Sequence, residues 1–330
     1  MAYITLSREN FFYNLDTIAK KTLSKDKIAL VLKDNAYGHG LLEIATLAKE
    51  YGITRAVVQF NSEALLVEEF FEYILVLSDF PTLQSKKIRY TINSLDMIEM
   101  FPKETLVELK VNTGMNRNGI EMQELQLAFE MIEKQGLKLE AVFTHHACAD
   151  ELTPMYQHQC EAFEKVKRES PAGVRFHSCN SAGLFRSENF DEDMARVGIA
   201  AYGCMDLPPE ISEVEFKPVL SLYAKKVTSR ELLKGESVGY GATYVSQKDE
   251  IVSTYDIGYG DGFLRSLSNS YQTPENVKIA GRISMDNSSF LCEREELLIF
   301  DDASKVSAQT NTISYEILTS LKSSLKRQVI

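Results

Sequence analysis

Lys33 ends the apolar run Ile28–Leu32 and is followed by Asp34-Asn35-Ala36-Tyr37-Gly38-His39-Gly40. An ammonium at the end of a buried strand is costly to desolvate unless it is neutralised or paired. A partly desolvated lysine is also the form that Schiff-base chemistry uses. A lone lysine at a strand tip more often reaches solvent. Here two glycines, a phenol and an imidazole share one turn with it, and turns above barrel strands are where catalytic groups collect. No Gly-rich dinucleotide fingerprint is present, so the turn does not read as a nucleotide site.

The elements that must position this lysine alternate through the first two-thirds of the chain. Short runs rich in Val, Ile and aromatic residues recur at Ile28–Leu32, Ala56–Gln59, Ile74–Leu77, Ile88–Asn93, Val107–Val111, Leu139–Phe143, Val174–His177 and Ala195–Tyr202. Their length and composition suit fully buried strands. Helical periodicity lies between most of them, over 41–50, 61–71 and 121–135, the last with Gly136 placed as a C-terminal cap. Eight strands alternating with helices predict an α/β fold, a (β/α)8 TIM-type barrel. The alternation is thinnest at the fourth unit and before Ala195, and a doubly wound open sheet is the alternative. After Pro208-Pro209 the rhythm changes to strand-like runs at Val219–Val227, Glu236–Tyr240, Ile251–Ile257, Val277–Ile283 and Leu297–Phe300, with glycine between them. The predicted organisation is an N-terminal strand (1–8) joining a C-terminal mostly-β domain (211–330), with the barrel at 9–210.

The chain has 330 residues, 44% of them hydrophobic and 25% charged, which places it with ordinary globular proteins. A formal net charge of −11 without a dense Lys/Arg run makes it a poor binder of nucleic acid or of an anionic membrane. The five cysteines are scattered and form no C-x-x-C pair, so neither a zinc site nor a disulfide framework is indicated, and no metal is expected. The N-terminal residues lack a signal-peptide pattern and no apolar run approaches a membrane span. A reduced, cytoplasmic protein is expected.

Several further segments fit one pattern in order. They are Leu109-Lys110-Val111-Asn112-Thr113-Gly114-Met115-Asn116-Arg117, Thr144-His145 through Ala149-Asp150, Asn180-Ser181-Ala182, Arg196-Val197-Gly198-Ile199, Gly239-Tyr240-Gly241-Ala242-Thr243-Tyr244, Ile257-Gly258-Tyr259-Gly260-Asp261-Gly262 with Arg265, Gly281-Arg282-Ile283-Ser284-Met285-Asp286, and Thr312-Ile313-Ser314-Tyr315-Glu316. Together with Lys33-x-Asn-Ala-Tyr-Gly-His-Gly they resemble the bacterial, pyridoxal phosphate-dependent alanine racemases over nearly the whole chain.

That resemblance implies interconversion of L- and D-alanine by a two-base mechanism, supplying D-alanine for peptidoglycan. Lys33 matches the lysine that carries pyridoxal 5'-phosphate and moves one proton. Tyr240 matches the second base, contributed by the partner subunit of a homodimer with shared active sites. A phenol with an ordinary pKa of about 10 is a poor base, so its surroundings must help it. Arg196 matches the partner of the pyridine nitrogen, and His145 a residue beside that ring. Tyr37, Ser181, Gly198, Ile199 and Tyr315 match the phosphate cradle, with Asn180 as its neighbour. Arg117 matches the arginine that orients the substrate carboxylate, for which its fork is suited. Met285 matches a partner-chain residue at the same carboxylate. Lys110 matches a lysine often carbamylated in the family. Two bare cations on neighbouring strand ends repel, so a modification or bound anion is reasonable, and a plain lysine bridged to an acid is the alternative. Tyr259, Arg265 and Arg282 fall in segments of the entrance. His39, His146, His158 and His177 match no such role and are expected to be structural.

The sequence departs from the family at Asn112, where Asp is common, at Val197 in place of Pro, and at Gly260 in place of Ala. The stretch from Asn287 to Thr312 is short. Three other readings stand beside the first: a racemase of another or broader amino-acid range such as serine, a decarboxylase of the same fold type, and a non-catalytic pyridoxal phosphate-binding barrel. Such carriers lack a second domain, a decarboxylase is expected to show a catalytic cysteine in its β domain, and a pocket rejects one added hydroxyl only weakly.

Overall fold

The computed structural model describes residues 1–82 and 85–330. In chain order, strand β1 (Tyr3–Leu6) leads into helix α1 (Arg8–Thr22), whose first turn is capped by Ser7 Oγ accepting from the Asn10 amide. The barrel then runs β2 (Ile28–Val31), α2 (Leu41–Tyr51), β3 (Arg55–Val58), α3 (Asn61–Val67), β4 (Tyr73–Val76), β5 (Ile88–Ile92), β6 (Leu106–Asn112), α4 (Leu125–Gln135), β7 (Lys138–Phe143), α5 (Met155–Glu169), β8 (Arg175–His177), α6 (Ser181–Arg186) and β9 (Ala195–Val197). All neighbouring strands from β2 to β8 are parallel, and β9 pairs with β2. An open doubly wound sheet is therefore excluded, because first and last strands are hydrogen-bonded.

The seam between β8 and β9 has no regular ladder. It is bridged by Asp193 N–H to Phe176 O at 3.1 Å, Arg196 N–H to Cys179 O at 2.9 Å, and Phe176 N–H to the Asp193 carboxylate at 2.7 Å. Among the described residues no helix joins β4 to β5, and only a 3₁₀ turn, Leu95–Met100, precedes β6. The eighth strand is shorter than its apolar run: it stops at Val197, and Gly198 begins a turn that frees amides for the barrel mouth.

The second domain is built on the long strand β10 (Leu220–Leu232), with β11 (Glu250–Tyr255), β12 (Ser288–Phe290) and β13 (Glu296–Phe300). Two short helices follow, α7 (Ala303–Ser307) and α8 (Ser314–Thr319), then strand β14 (Lys326–Val329). Strand β1 lies between β10 and β14, antiparallel to the first and parallel to the second. Its Tyr3 stacks on Tyr223 at a centroid distance of 5.2 Å. The expected strand at Val277–Ile283 is not formed. Its backbone makes isolated bridges only, and the regular pairing falls to Ser288–Phe290. The expected strand ending at Tyr240 covers only Ser237–Val238, and Tyr240 opens a 3₁₀ turn between two left-handed glycines, Gly239 and Gly241.

Candidate active site

Strand β2 delivers Lys33 through a rare local conformation. Asp34, Asn35, Ala36 and Tyr37 have φ of 55°, 55°, 53° and 50°, so they form one turn of left-handed helix. Such a turn costs about 1–2 kcal/mol for each non-glycine residue and persists only where its surroundings over-determine it. Here Ala36 N–H bonds Leu32 O at 2.7 Å, Gly38 N–H bonds Asp34 O at 3.0 Å, and Asn35 Oδ1 accepts from Leu41 N–H at 2.9 Å. His39 Nδ1 faces two carbonyls, Ala36 O at 3.1 Å and Tyr37 O at 2.9 Å, so this nitrogen carries the proton. The His39 ring stacks on Tyr202 at 4.4 Å, and Tyr202 OH donates to Val31 O. The turn sets both Lys33 and Tyr37 on the wall of a cavity of about 400 Å³ at the barrel mouth.

Four cations converge on that cavity: Lys33, Lys110, Arg117 and Arg196. Among the described residues that line it, Asp34 is the one acid, 3.5 Å from Lys33 Nζ. Burial, followed by the charges of Arg117, Arg196 and Lys33, lowers the Lys110 pKa to about 7. Its ammonium bonds Asn118 Oδ1. Burial, followed by the charges of Arg196, Lys110 and Arg117, holds His145 well below the usual imidazole range. Arg196 is buried and lies 5.1 Å over the Phe143 ring. Its Nη2 donates to Thr144 O at 2.7 Å and Ser178 O at 3.0 Å, and its Nη1 meets His177 Nδ1.

At the other end, Ser181 opens α6, and Asn180 is its N-cap, accepting from Gly183 N–H at 2.8 Å. Ser181 Oγ gathers the amides of Gly198 at 3.1 Å and Ala200 at 3.4 Å. A Cβ on Gly198 would stand 3.0 Å from the Tyr37 hydroxyl, so glycine is what allows the β9 turn and Tyr37 to meet. Tyr315 from α8 closes this corner, 5.7 Å from the Tyr37 ring. A pocket with four basic side chains, a hydroxyl cradle and one acid fits a doubly charged phosphate together with a carboxylate.

Arg117 rides on the loop after β6, and Asn112 organises that loop. Its Oδ1 accepts from Gly114 and Asn116 amides at 3.1 and 3.0 Å, while its Nδ2 donates to Asn116 Oδ1 and to Glu121 at 2.9 Å each. A carboxylate could not make the last two bonds, so Asn is matched to its local partners.

Lys33, Tyr37, Lys110, Arg117, His145, Asn180, Ser181, Arg196, Gly198, Ile199 and Tyr315 share the cavity. Tyr240, Tyr259, Arg265, Arg282 and Met285 do not reach it. Tyr240 is 70% exposed and Met285 56% exposed. Gly260 N–H bonds Met285 O at 2.8 Å, which sets Tyr259 and Met285 side by side on the second domain. Two residues escaped sequence reasoning. Glu108 is wholly buried in β6 and holds His177, which in turn meets Arg196. Gln159, also wholly buried, ties Thr113 Oγ1 to the 145–147 backbone. A carboxylate between Val107 and Leu109 in a buried strand was the available signal for the first. Among the described residues no three His, Cys, Asp or Glu side chains group as a metal site.

The family model of the alanine racemase N-terminal domain matches residues 6–206, and that of the alanine racemase C-terminal domain matches 219–329. The alanine racemase of Nitratiruptor sp. is 43% identical over 99% of both chains, and that of Campylobacter concisus is 39% identical over 100% of both. Among solved structures, Bacillus anthracis alanine racemase with bound L-Ala-P superposes with a TM-score of 0.88 at 28% identity, covering 100% of this chain and 95% of that one. A histidine racemase from Leuconostoc mesenteroides superposes with a TM-score of 0.85 at 26% identity, covering 100% and 98%.

Proposed function

The chain belongs to the alanine racemase family and is an amino-acid isomerase, and from that premise we propose that its barrel cavity holds pyridoxal 5'-phosphate on Lys33 and interconverts L- and D-alanine. The observation that carries this is the convergence of Lys33, Lys110, Arg117 and Arg196 on one cavity whose far corner is the Ser181–Gly198 cradle. Bound pyridoxal phosphate supplies an electron sink that makes the Cα–H of an attached amino acid acidic. Ser181, Gly198, Ile199, Tyr37 and Tyr315 would hold its phosphate, with Asn180 keeping α6 in place as a cap. Arg196, which cannot give up its proton, would face the ring nitrogen from one side of His145.

Arg117 would grip the substrate carboxylate with its fork. A Lys110 amine with a pKa of about 7 is partly neutral near pH 7 and so open to carbamylation. The carbamate would put an anion where the charges of Arg117, Arg196 and Lys33 now oppose an ammonium, and remove that repulsion. Lys33 Nζ takes the Cα proton on one face, and a second group must return one on the other. Tyr240 and Met285 do not line their own chain's cavity, and the resemblance to the alanine racemases implies that Tyr240 Oη and Met285 would serve the cavity of a partner subunit. The homodimer is thereby part of the chemistry.

Purified protein should absorb in the visible, and borohydride should abolish that band and leave the cofactor on the peptide containing Lys33. The same preparation should equilibrate L- and D-alanine. A colourless, inactive chain, or an adduct on another lysine, would remove the proposal.

A further inference from the structure

The strained turn below Lys33 is fastened to the far end of the sequence. A Cβ on Gly38 would stand 2.0 Å from Leu318 O in α8, and one on Gly40 would stand 2.6 Å from Arg327 Cδ in β14. Between these two contacts the Gly38 carbonyl accepts from Arg327 Nε at 3.1 Å and Nη2 at 2.8 Å. The same guanidinium reaches Ser323 O at 2.9 Å and Leu325 O at 2.7 Å through Nη1, and Lys322 O at 3.3 Å through Nη2. One planar group thus gathers carbonyls from the turn and from the segment leading into β14. The five donors of a guanidinium in a fixed fork allow this, whereas a lysine offers three donors from a single atom.

Gly38 is the residue at which the left-handed turn ends, with φ of 76°. The residues of the turn do not favour its conformation, so it is held by the bonds around it, and those at its exit add to the local ones. Resting on the reading of Lys33 as the carrier lysine, we propose that Arg327 is a positioning residue, which locks the turn Asp34–Tyr37 against strand β14 and so keeps Lys33 and Tyr37 at the cavity wall. It touches neither the cavity nor the cations in it; it acts through the Gly38 carbonyl. The second domain therefore sets how firmly the barrel holds its cofactor, within one chain.

The test compares wild type with Arg327→Ala and Arg327→Lys, each stripped of cofactor and titrated with pyridoxal 5'-phosphate. Three quantities are read: the dissociation constant from visible absorbance, the yield of borohydride-fixed adduct on Lys33, and the KM for alanine at saturating cofactor. Both variants should hold the cofactor about tenfold to a hundredfold more weakly, the scale of a lost charge-assisted bond. Lysine should not rescue. Guanidinium ion, at concentrations that leave wild type unaffected, should restore the alanine variant. The KM should stay near wild type, since Arg117 is untouched. Should Arg327→Ala not fold, Arg327→Lys keeps the stem and the charge and decides alone. Cofactor affinity equal to wild type in the folded variants, or full restoration by lysine, overturns the inference. A wild-type chain that takes no cofactor on Lys33 overturns the functional reading and the inference with it; a wild-type chain that does, beside variants that bind equally well, overturns the inference alone.

Discussion

His177 Nε2 stands 2.8 Å from Glu108 Oε2, with both side chains entirely out of solvent. The other ring nitrogen faces Arg196, which can only donate, so Nδ1 accepts and Nε2 carries the proton toward Glu108. Burial pushes Glu108 up, but His177, Arg175 and Tyr73 outweigh it and leave its pKa below the ordinary carboxylate value. A buried carboxylate with three donors behind the cavity's arginine orients that arginine without touching the cavity.

Replacing Glu108 by Leu should strand the Tyr73 hydroxyl and the His177 N–H, and leave Arg175 with Glu140 as its remaining acid. We expect a loss of about 2–5 kcal/mol in urea unfolding, since each buried donor left without a partner costs about 1–3 kcal/mol. Glu108→Gln, which keeps an acceptor oxygen, should lose less. Equal stability of Glu108→Leu and wild type would contradict the network.

Stability should fall on mild acidification. Burial lowers the His39 and His146 pKa values to about 4, against an ordinary 6.5. Between those values the unfolded chain binds protons that the native chain refuses. Full stability is therefore present above about pH 6.5 and declines toward about pH 4, by about 1.4 kcal/mol per pH unit for each histidine. Urea midpoints measured at steps through this range check it, and a flat profile would show that these rings are not buried and neutral.

Gly38→Ala should be poorly tolerated. The new methyl would press on Leu318 O at 2.0 Å, and φ of 76° strains any L side chain. A destabilisation of at least about 2 kcal/mol is expected, together with weaker cofactor retention. Thermal unfolding and absorbance at fixed cofactor measure the two effects separately.

Tyr240→Phe removes one exposed hydroxyl and should leave the fold intact. Turnover should drop by about 10²–10⁴, the range for a positioned acid/base group. In deuterium oxide the variant should still exchange the Cα proton of one enantiomer through Lys33 while interconversion nearly stops. Undiminished exchange of both enantiomers would assign the second base elsewhere.

Mixing Lys33→Ala with Tyr240→Phe chains should restore part of the activity, because one site of a mixed dimer then has both groups intact. No recovery, with subunit exchange demonstrated by a mass-tagged chain, would argue against shared sites.

The barrel was legible because its strands are buried on both faces and therefore read as unbroken apolar runs, such as Ile28–Val31 and Tyr73–Val76. Lys33 was legible because an ammonium at a strand end stands out against such a run, whereas Arg117, on the loop after β6, and Arg196, inside β9, were legible only through the resemblance of their segments to the alanine racemases. The left-handed turn was not, since Asp34, Asn35, Ala36 and Tyr37 have no glycine among them and part of what fastens the turn, Arg327 on the Gly38 carbonyl, comes from the far end of the chain. Strand β14 escaped for a related reason: Lys326–Val329 is polar and largely exposed, and its pairing with β1 is a matter of distant chain, not of local pattern. The role of Glu108 stayed hidden because its three partners lie on two other strands, Tyr73 on β4 and Arg175 and His177 on β8.

Strand β14 runs beside β1, with Tyr3 opposite Lys326 and Leu6 opposite Val329. During synthesis the whole barrel sequence leaves the ribosome before the residues that complete this sheet and fasten Gly38. On the proposed role of Arg327, a nascent chain would carry the lysine turn without this fastening until its last residues emerge, and firm capture of cofactor would be one of the last steps in each molecule's maturation.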